Sequence, residues 1–206
     1  MNPALKIKVC GMRDAENIRE VEALGIDLMG FIFWPRSSRY VSERPAYLPV
    51  KCKRVGVFVD EDTEAVRQMA EDYALDFIQL HGHETPGQIA RLAASASCPP
   101  LVKAFNIATA DDIAMTKPYE GIAACFLFDT KGKSVGGNGE QFDWRVLDGY
   151  HGDTPFLLSG GIGPGDAERV KAFSHPKCIG IDLNSRFETA PALKDIQKLK
   201  SFLEQL

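Results

Sequence analysis

Leu5-Lys6-Ile7-Lys8-Val9-Cys10-Gly11, then Asp14 ahead of Ala15–Leu24, then Leu28-Met29-Gly30-Phe31-Ile32-Phe33 is the stretch that decides the fold. A short apolar run, a segment with helical spacing and a second apolar run read as strand, helix, strand. Asp14 offers a side-chain acceptor to the unpaired amides of the helix that it precedes. Working outward, runs suited to buried strands recur at Arg54–Val59, Phe77–Leu80, Leu101–Phe105, Ala123–Phe128, Phe156–Leu158 and Cys178–Asp182, which with the first two (Leu5–Cys10 and Leu28–Phe33) makes eight. Further helices are expected over Glu61–Tyr73 behind Asp60, Pro86–Ala96 behind Thr85 and Asp112–Thr116 behind Asp111. The last is expected over Ala192–Leu206, with Leu193, Ile196, Leu199, Phe202 and Leu203 on one face. Between Pro45 and Pro49 only Ala46–Leu48 is left, enough for one short turn. Right-handed crossovers between so many parallel strands favour a closed barrel, which leaves no sheet edge, over a flavodoxin-like open sheet with fewer strands. The prediction is an α/β chain, a single-domain (β/α)8 TIM barrel over residues 1–206 with a degenerate second helical segment.

Bulk properties narrow the function. With 45% hydrophobic and 25% charged residues the chain is neither disordered nor fibrous. Its 24 basic and 28 acidic residues give a net charge of −4 without any dense basic cluster, which argues against nucleic acid as a partner. Met1–Val9 carries lysines where a signal peptide would be continuously apolar, and no segment is suited to cross a bilayer, so a cytoplasmic location without a membrane partner is expected. Cys10, Cys52, Cys98, Cys125 and Cys178 are odd in number and never paired as Cys-x-x-Cys, so free thiols are expected.

Barrel chemistry sits at the carboxyl ends of strands. The residues so placed are Cys10, Trp34 with Arg36 and Arg39, Asp60, His81, Asn106, Asp129, Gly160 with Gly161, and Asp182 with Asn184 and Ser185. Alternation along the first strand turns Leu5, Ile7 and Val9 toward the helices and Lys6, Lys8 and Cys10 toward the axis. A cysteine there is a candidate base if enough thiolate forms. Lys8 either lowers its pKa or pairs with a barrel carboxylate and fills space. Asp129 opens Thr130–Gln141, a loop rich in glycine that has the composition of a lid. Under such cover a carboxyl group can keep its proton and act as an acid.

Gly160-Gly161 and Asn184-Ser185 fall in the seventh and eighth loops, the usual phosphate site of such barrels. Gly132-Lys133-Ser134 is no P-loop, because Leu127 stands where its first glycine belongs, and Pro164 breaks the dinucleotide pattern begun at Gly161. His81-Gly82-His83-Glu84 is the one candidate metal cluster; no second histidine pair supports it, and no metal site is predicted. His81 is expected to be a polar residue of the barrel mouth.

In order along the chain, Lys8-Val9-Cys10-Gly11-Met12, Gly30-Phe31-Ile32-Phe33, Ser37-Ser38-Arg39-Tyr40-Val41, Val55-Gly56-Val57-Phe58-Val59, Gln79-Leu80-His81-Gly82, Asp129-Thr130-Lys131, Gly136-Gly137-Asn138-Gly139 with Phe142-Asp143-Trp144, and Leu158-Ser159-Gly160-Gly161 closely resemble the phosphoribosylanthranilate isomerase family. The resemblance implies an isomerase of tryptophan biosynthesis that needs no metal or organic cofactor. Its reaction would be the Amadori rearrangement of N-(5-phosphoribosyl)anthranilate to 1-(2-carboxyphenylamino)-1-deoxyribulose 5-phosphate. It further implies Cys10 as general base and Asp129 as general acid, with Arg39, His81 and Asp182 binding the substrate and Gly160, Gly161, Asn184 and Ser185 its phosphate. A small phosphorylated molecule is the expected partner, and a monomer or homodimer the expected state. Asp182-Leu183-Asn184-Ser185-Arg186-Phe187-Glu188 departs from the family's Asp-Val-Ser-Ser-Gly-Val-Glu, with Arg186 in place of a glycine beside the phosphate.

Overall fold

In the computed structural model, which describes residues 5–130 and 143–206, eight parallel strands close on themselves in sequence order. They are β1 (Lys6–Cys10), β2 (Leu28–Ile32), β3 (Lys53–Phe58), β4 (Phe77–Leu80), β5 (Leu101–Ile107), β6 (Cys125–Thr130), β7 (Phe156–Leu158) and β8 (Cys178–Leu183). Every run expected to be a strand is one, with ends moved by a residue or two. Closure comes from β8 pairing with β1, in the register Lys6 with Gly180 and Lys8 with Asp182.

Around the barrel stand α1 (Ala15–Glu22), α2 (Thr63–Asp72), α3 (Pro86–Ala93), α4 (Ala110–Ala114), α5 (Ala167–Ala172) and α6 (Ile196–Leu203). Asp14 caps α1 by accepting from the Asn17 amide at 2.8 Å. Thr85 and Gln88 cap α3 reciprocally. Two expected starts are displaced. Asp62 caps α2, since Asp60 has a φ of +50° and its carboxylate accepts from the His83 amide instead. The first residue of α4 is Ala110, and Asp112 turns back to accept from the Thr109 amide at 2.9 Å. Neither an α-helix nor a 3-10 turn forms between β2 and β3, and among the described residues between β6 and β7 the helical element is a 3-10 helix, Trp144–Gly149. The expected helix over Ala192–Leu206 is shorter, because β9 (Glu188–Ala190) and β10 (Leu193–Lys194) form a small antiparallel pair first. Leu193 therefore lies in a strand, 41% exposed, and contributes nothing to the buried face of α6.

Apolar side chains fill two layers. Phe31, Phe58, Phe126, Phe128, Phe156 and Leu158 belong to the cluster that packs the barrel against its helices. Val102, Ala104, Cys125, Leu127 and Leu157 form a second, inner cluster. Alternation along β6 thus puts Cys125, Leu127 and Asp129 on one face and Phe126 and Phe128 on the other. The interior changes toward the carboxyl ends, where Lys8, Gln79, Ser159, Asp129 and Asp182 are all buried. Buried polar groups need partners, and those partners define the site.

Candidate active site

Cys10 is the last residue of β1 and is only 3% exposed. A Cβ on Gly30 would lie 2.6 Å from its Sγ, so the thiol occupies space that only a glycine on β2 leaves open. Gly11, at a φ of +80°, serves a related purpose. A Cβ there would meet Arg39 Cδ at 2.6 Å and Asn184 Oδ1 at 3.0 Å, so its bareness lets these two side chains close in beside Cys10.

Lys8 lies one inward-facing step below the thiol and is paired with Asp182 at 2.9 Å, both side chains buried. Burial pulls the Lys8 pKa down, but the Asp182 carboxylate and the Cys10 sulfur outweigh it, and the net shift is upward. The Cys10 pKa is also raised. Burial pushes the thiol up, and the ammonium groups of Lys8 and Lys194 oppose this without overcoming it. Both alternatives for Lys8 are thus partly realised: it pairs with a barrel carboxylate, and it favours the thiolate, but it does not bring Cys10 below the ordinary thiol range.

Lys194 and Glu188 were absent from the residues proposed on sequence grounds. Lys194 is fully buried, 2.6 Å from Glu188 Oε1 and 2.8 Å from Asn184 Oδ1. Glu188 in turn receives Arg39 through Nε at 2.9 Å and Nη2 at 2.7 Å. Desolvation would raise the Glu188 pKa, but Arg39 and Lys194 hold it below the usual carboxylate range. The one available signal for Glu188 was its match to the last residue of the departing motif. For Lys194 there was none, since it sits in what reads as a helix.

Asp129, one residue before the end of β6, is 8% exposed, and its Oδ2 lies 3.6 Å from His81 Nε2. His81 follows β4 and its side chain is 10% exposed, while that of His83 is 90% exposed and hydrogen-bonds Asp60 at 3.1 Å. The two histidines do not converge, and Glu84 is consumed by Lys103 at 2.9 Å; among the described residues no group suited to hold a metal occurs. Asn106 lies level with Asp129 on β5 and is exposed, as is Arg36 beyond β2.

Asp182 is buried, with Oδ1 on Lys8 and Oδ2 accepting from Ser159 Oγ at 3.5 Å. Gly160 and Gly161 both have left-handed φ values, +91° and +70°. Ser185 opens a single 3-10 turn, Ser185–Phe187, directly after β8. The seventh and eighth loops touch, because a Cβ on Gly163 would stand 3.4 Å from the Arg186 Cβ. Thr130–Gln141, read as a lid, lies outside the described residues apart from Thr130 itself.

Cys10 and Asp129 thus share the carboxyl rim of the barrel with the seventh and eighth loops. Residues 7–205 match the family model described as N-(5'phosphoribosyl)anthranilate (PRA) isomerase. The chain belongs to this family. Its isomerase from Phocaeicola vulgatus is 51% identical over 200 residues, covering 97% of each chain. Among solved structures, the phosphoribosyl anthranilate isomerase from Thermus thermophilus superposes with a TM-score of 0.81 at 28% identity, covering 98% of each chain. A phosphoribosyl anthranilate isomerase in complex with reduced 1-(o-carboxyphenylamino)-1-deoxyribulose 5-phosphate does so with a TM-score of 0.78 at 26% identity, covering 98% of this chain and 97% of that one. The chain is accordingly an isomerase of tryptophan biosynthesis with a TIM-barrel fold. No helix among the described residues is long and apolar enough to cross a membrane.

Proposed function

We propose that the chain carries out the Amadori rearrangement of N-(5-phosphoribosyl)anthranilate with Asp129 as general acid and Cys10 as general base. Asp129 protonates the furanose ring oxygen, and the ring opens to a Schiff base. Cys10 then removes the C2′ proton, and the resulting enolamine tautomerises to the ketone of 1-(2-carboxyphenylamino)-1-deoxyribulose 5-phosphate. No atom is gained or lost, so a proton donor and a proton acceptor on one rim suffice. The observation that carries the reading is the position of Cys10 and Asp129 at the carboxyl ends of β1 and β6, with the two phosphate-loop candidates on the same rim.

Binding follows from the same side chains. The successive left-handed glycines Gly160 and Gly161 give the seventh loop a backbone turn of the kind that cradles a phosphate, and the turn opened by Ser185 adds to it. Because Asn184 Oδ1 is taken by Lys194, its amide nitrogen is the end left to donate. Arg39, braced by Glu188 along its Nε and Nη2 side, offers Nη1 to the anthranilate carboxylate. Asp182 orients the substrate from below the thiol, through its Lys8 and Ser159 contacts. The test is the fluorescence of phosphoribosylanthranilate followed with wild type, Cys10→Ala and Asp129→Ala. Each variant is expected to lose about 100-fold or more in kcat, the usual weight of a lost acid or base. Full activity in either would remove that residue from its role.

A further inference from the structure

We propose that His81 is a positioning residue for Asp129, a neutral N–H donor that orients the acid's carboxyl group without giving it a counter-charge. This deepens the reading above and rests on Asp129 being the acid. The Nε2 atom of the His81 ring is buried and has no hydrogen-bond partner within ordinary reach. The Asp129 carboxylate stands just beyond that reach, with Oδ2 at 3.6 Å. An atom this buried is costly to leave unpaired. Hydrogen bonds of catalytic groups in substrate-free enzymes are often long and tighten in the complex.

The other ring nitrogen sets the tautomer. Nδ1 lies 3.3 Å from Gln79 Nε2, two residues back on the same face of β4. An amide nitrogen can only donate, so Nδ1 accepts and the ring proton resides on Nε2, directed at Asp129. The charged surroundings keep that ring neutral. Lys103, from β5, is anchored beneath the loop after His81 by Glu84 Oε2 at 2.9 Å and the Gly82 carbonyl at 2.7 Å. Lys8, from β1, is anchored by Asp182. Burial first, then these two ammonium groups, brings the imidazole down to about 3.

Neutrality is the point of the arrangement. An imidazolium beside Asp129 would favour the ionised carboxylate and strip the acid of the proton that it must deliver. A neutral N–H fixes the orientation of the carboxyl group and leaves its proton in place. Glu84, the other carboxylate of this loop, is taken up by Lys103 and by the amides of Asp60 and Gly82, so it offers the ring no competing acceptor.

Two measurements test this. In the full chain labelled with 15N-histidine, with His81→Asn used to assign the signals, His81 should remain the neutral Nε2–H tautomer from about pH 5 to 8. An imidazolium in that range, or the Nδ1–H tautomer, overturns the proposal. In steady-state turnover of phosphoribosylanthranilate, His81→Asn, which retains a neutral donor, should keep kcat within about threefold. His81→Leu should lower kcat about 10–100-fold with little change in KM. Equal kcat in the two variants, or a loss confined to KM, overturns it in favour of a packing or a substrate contact. The tautomer is read without turnover, so a fully active Asp129→Ala would refute the acid assignment separately.

Discussion

Burial and charge pull the Cys10 thiol in opposite directions, and the balance predicts its reactivity. With its pKa raised by burial against Lys8 and Lys194, the thiol should be alkylated with a midpoint above the ordinary cysteine range. Lys194→Met removes one of the opposing cations and should move the midpoint further up, making alkylation of Cys10 at pH 8 about 3–10-fold slower. Lys194→Arg, which keeps a charge, should stay near wild type. Peptide mapping of iodoacetamide-treated protein across pH reads this directly, and an unchanged midpoint in Lys194→Met would leave Lys194 a purely structural group. Cys10 and Asp129 were legible because a strand end is a position that hydrophobic pattern reveals. Lys194, Glu188 and the role of Gly30 were not, since each depends on side chains distant in the chain meeting at one place.

The strands were legible to within a residue or two because buried parallel strands are short, largely apolar runs, and one such as Phe156–Leu158 cannot be mistaken for an amphipathic surface. Helix starts were harder. Asp60 and Asp62 are equally good caps by type, and only the demand of the His83 amide decides between them. The C-terminal hairpin was missed because Leu193, Ile196 and Leu199 keep helical spacing straight through β10. What holds that hairpin is invisible in periodicity: Asn17 of α1 donates to the Lys194 carbonyl at 2.9 Å and accepts from its amide at 2.7 Å. Asn17 therefore docks β10, and with it the Lys194 ammonium, onto the first helix. Asn17→Leu leaves a buried carbonyl and amide unpaired and should cost about 2–4 kcal/mol. At about 2–4 °C per kcal/mol for a chain of this size, a fall in Tm of roughly 4–16 °C is expected in calorimetry. A change below about 2 °C would mean that the hairpin is held elsewhere.

At the scale of the whole barrel, the seam where the last strand meets the first is the step that local sequence does least to specify. Seven neighbouring pairs are consecutive in the chain, but β1 and β8 are brought together from opposite ends. Across that seam Lys8 and Asp182 face each other in register and form a fully buried ion pair. Breaking such a pair strands a charge in a dry interior, whereas replacing both members by apolar residues of similar size is often neutral. Asp182→Leu should thus destabilise the fold by about 3–5 kcal/mol, and adding Lys8→Met should restore all but about 1–2 kcal/mol. Because the folded-state pKa of Lys8 is raised, the pair's contribution is fully present below the ordinary lysine value and lost only as pH rises through the raised one. The stability that the pair gives the wild type should therefore be flat from about pH 6 to 9 and fall only in stronger alkali. Urea unfolding of the two variants and wild type measures all of this. Equal stability of Asp182→Leu and the double variant would mean that closure owes nothing to the charge pair and rests on the apolar layers alone.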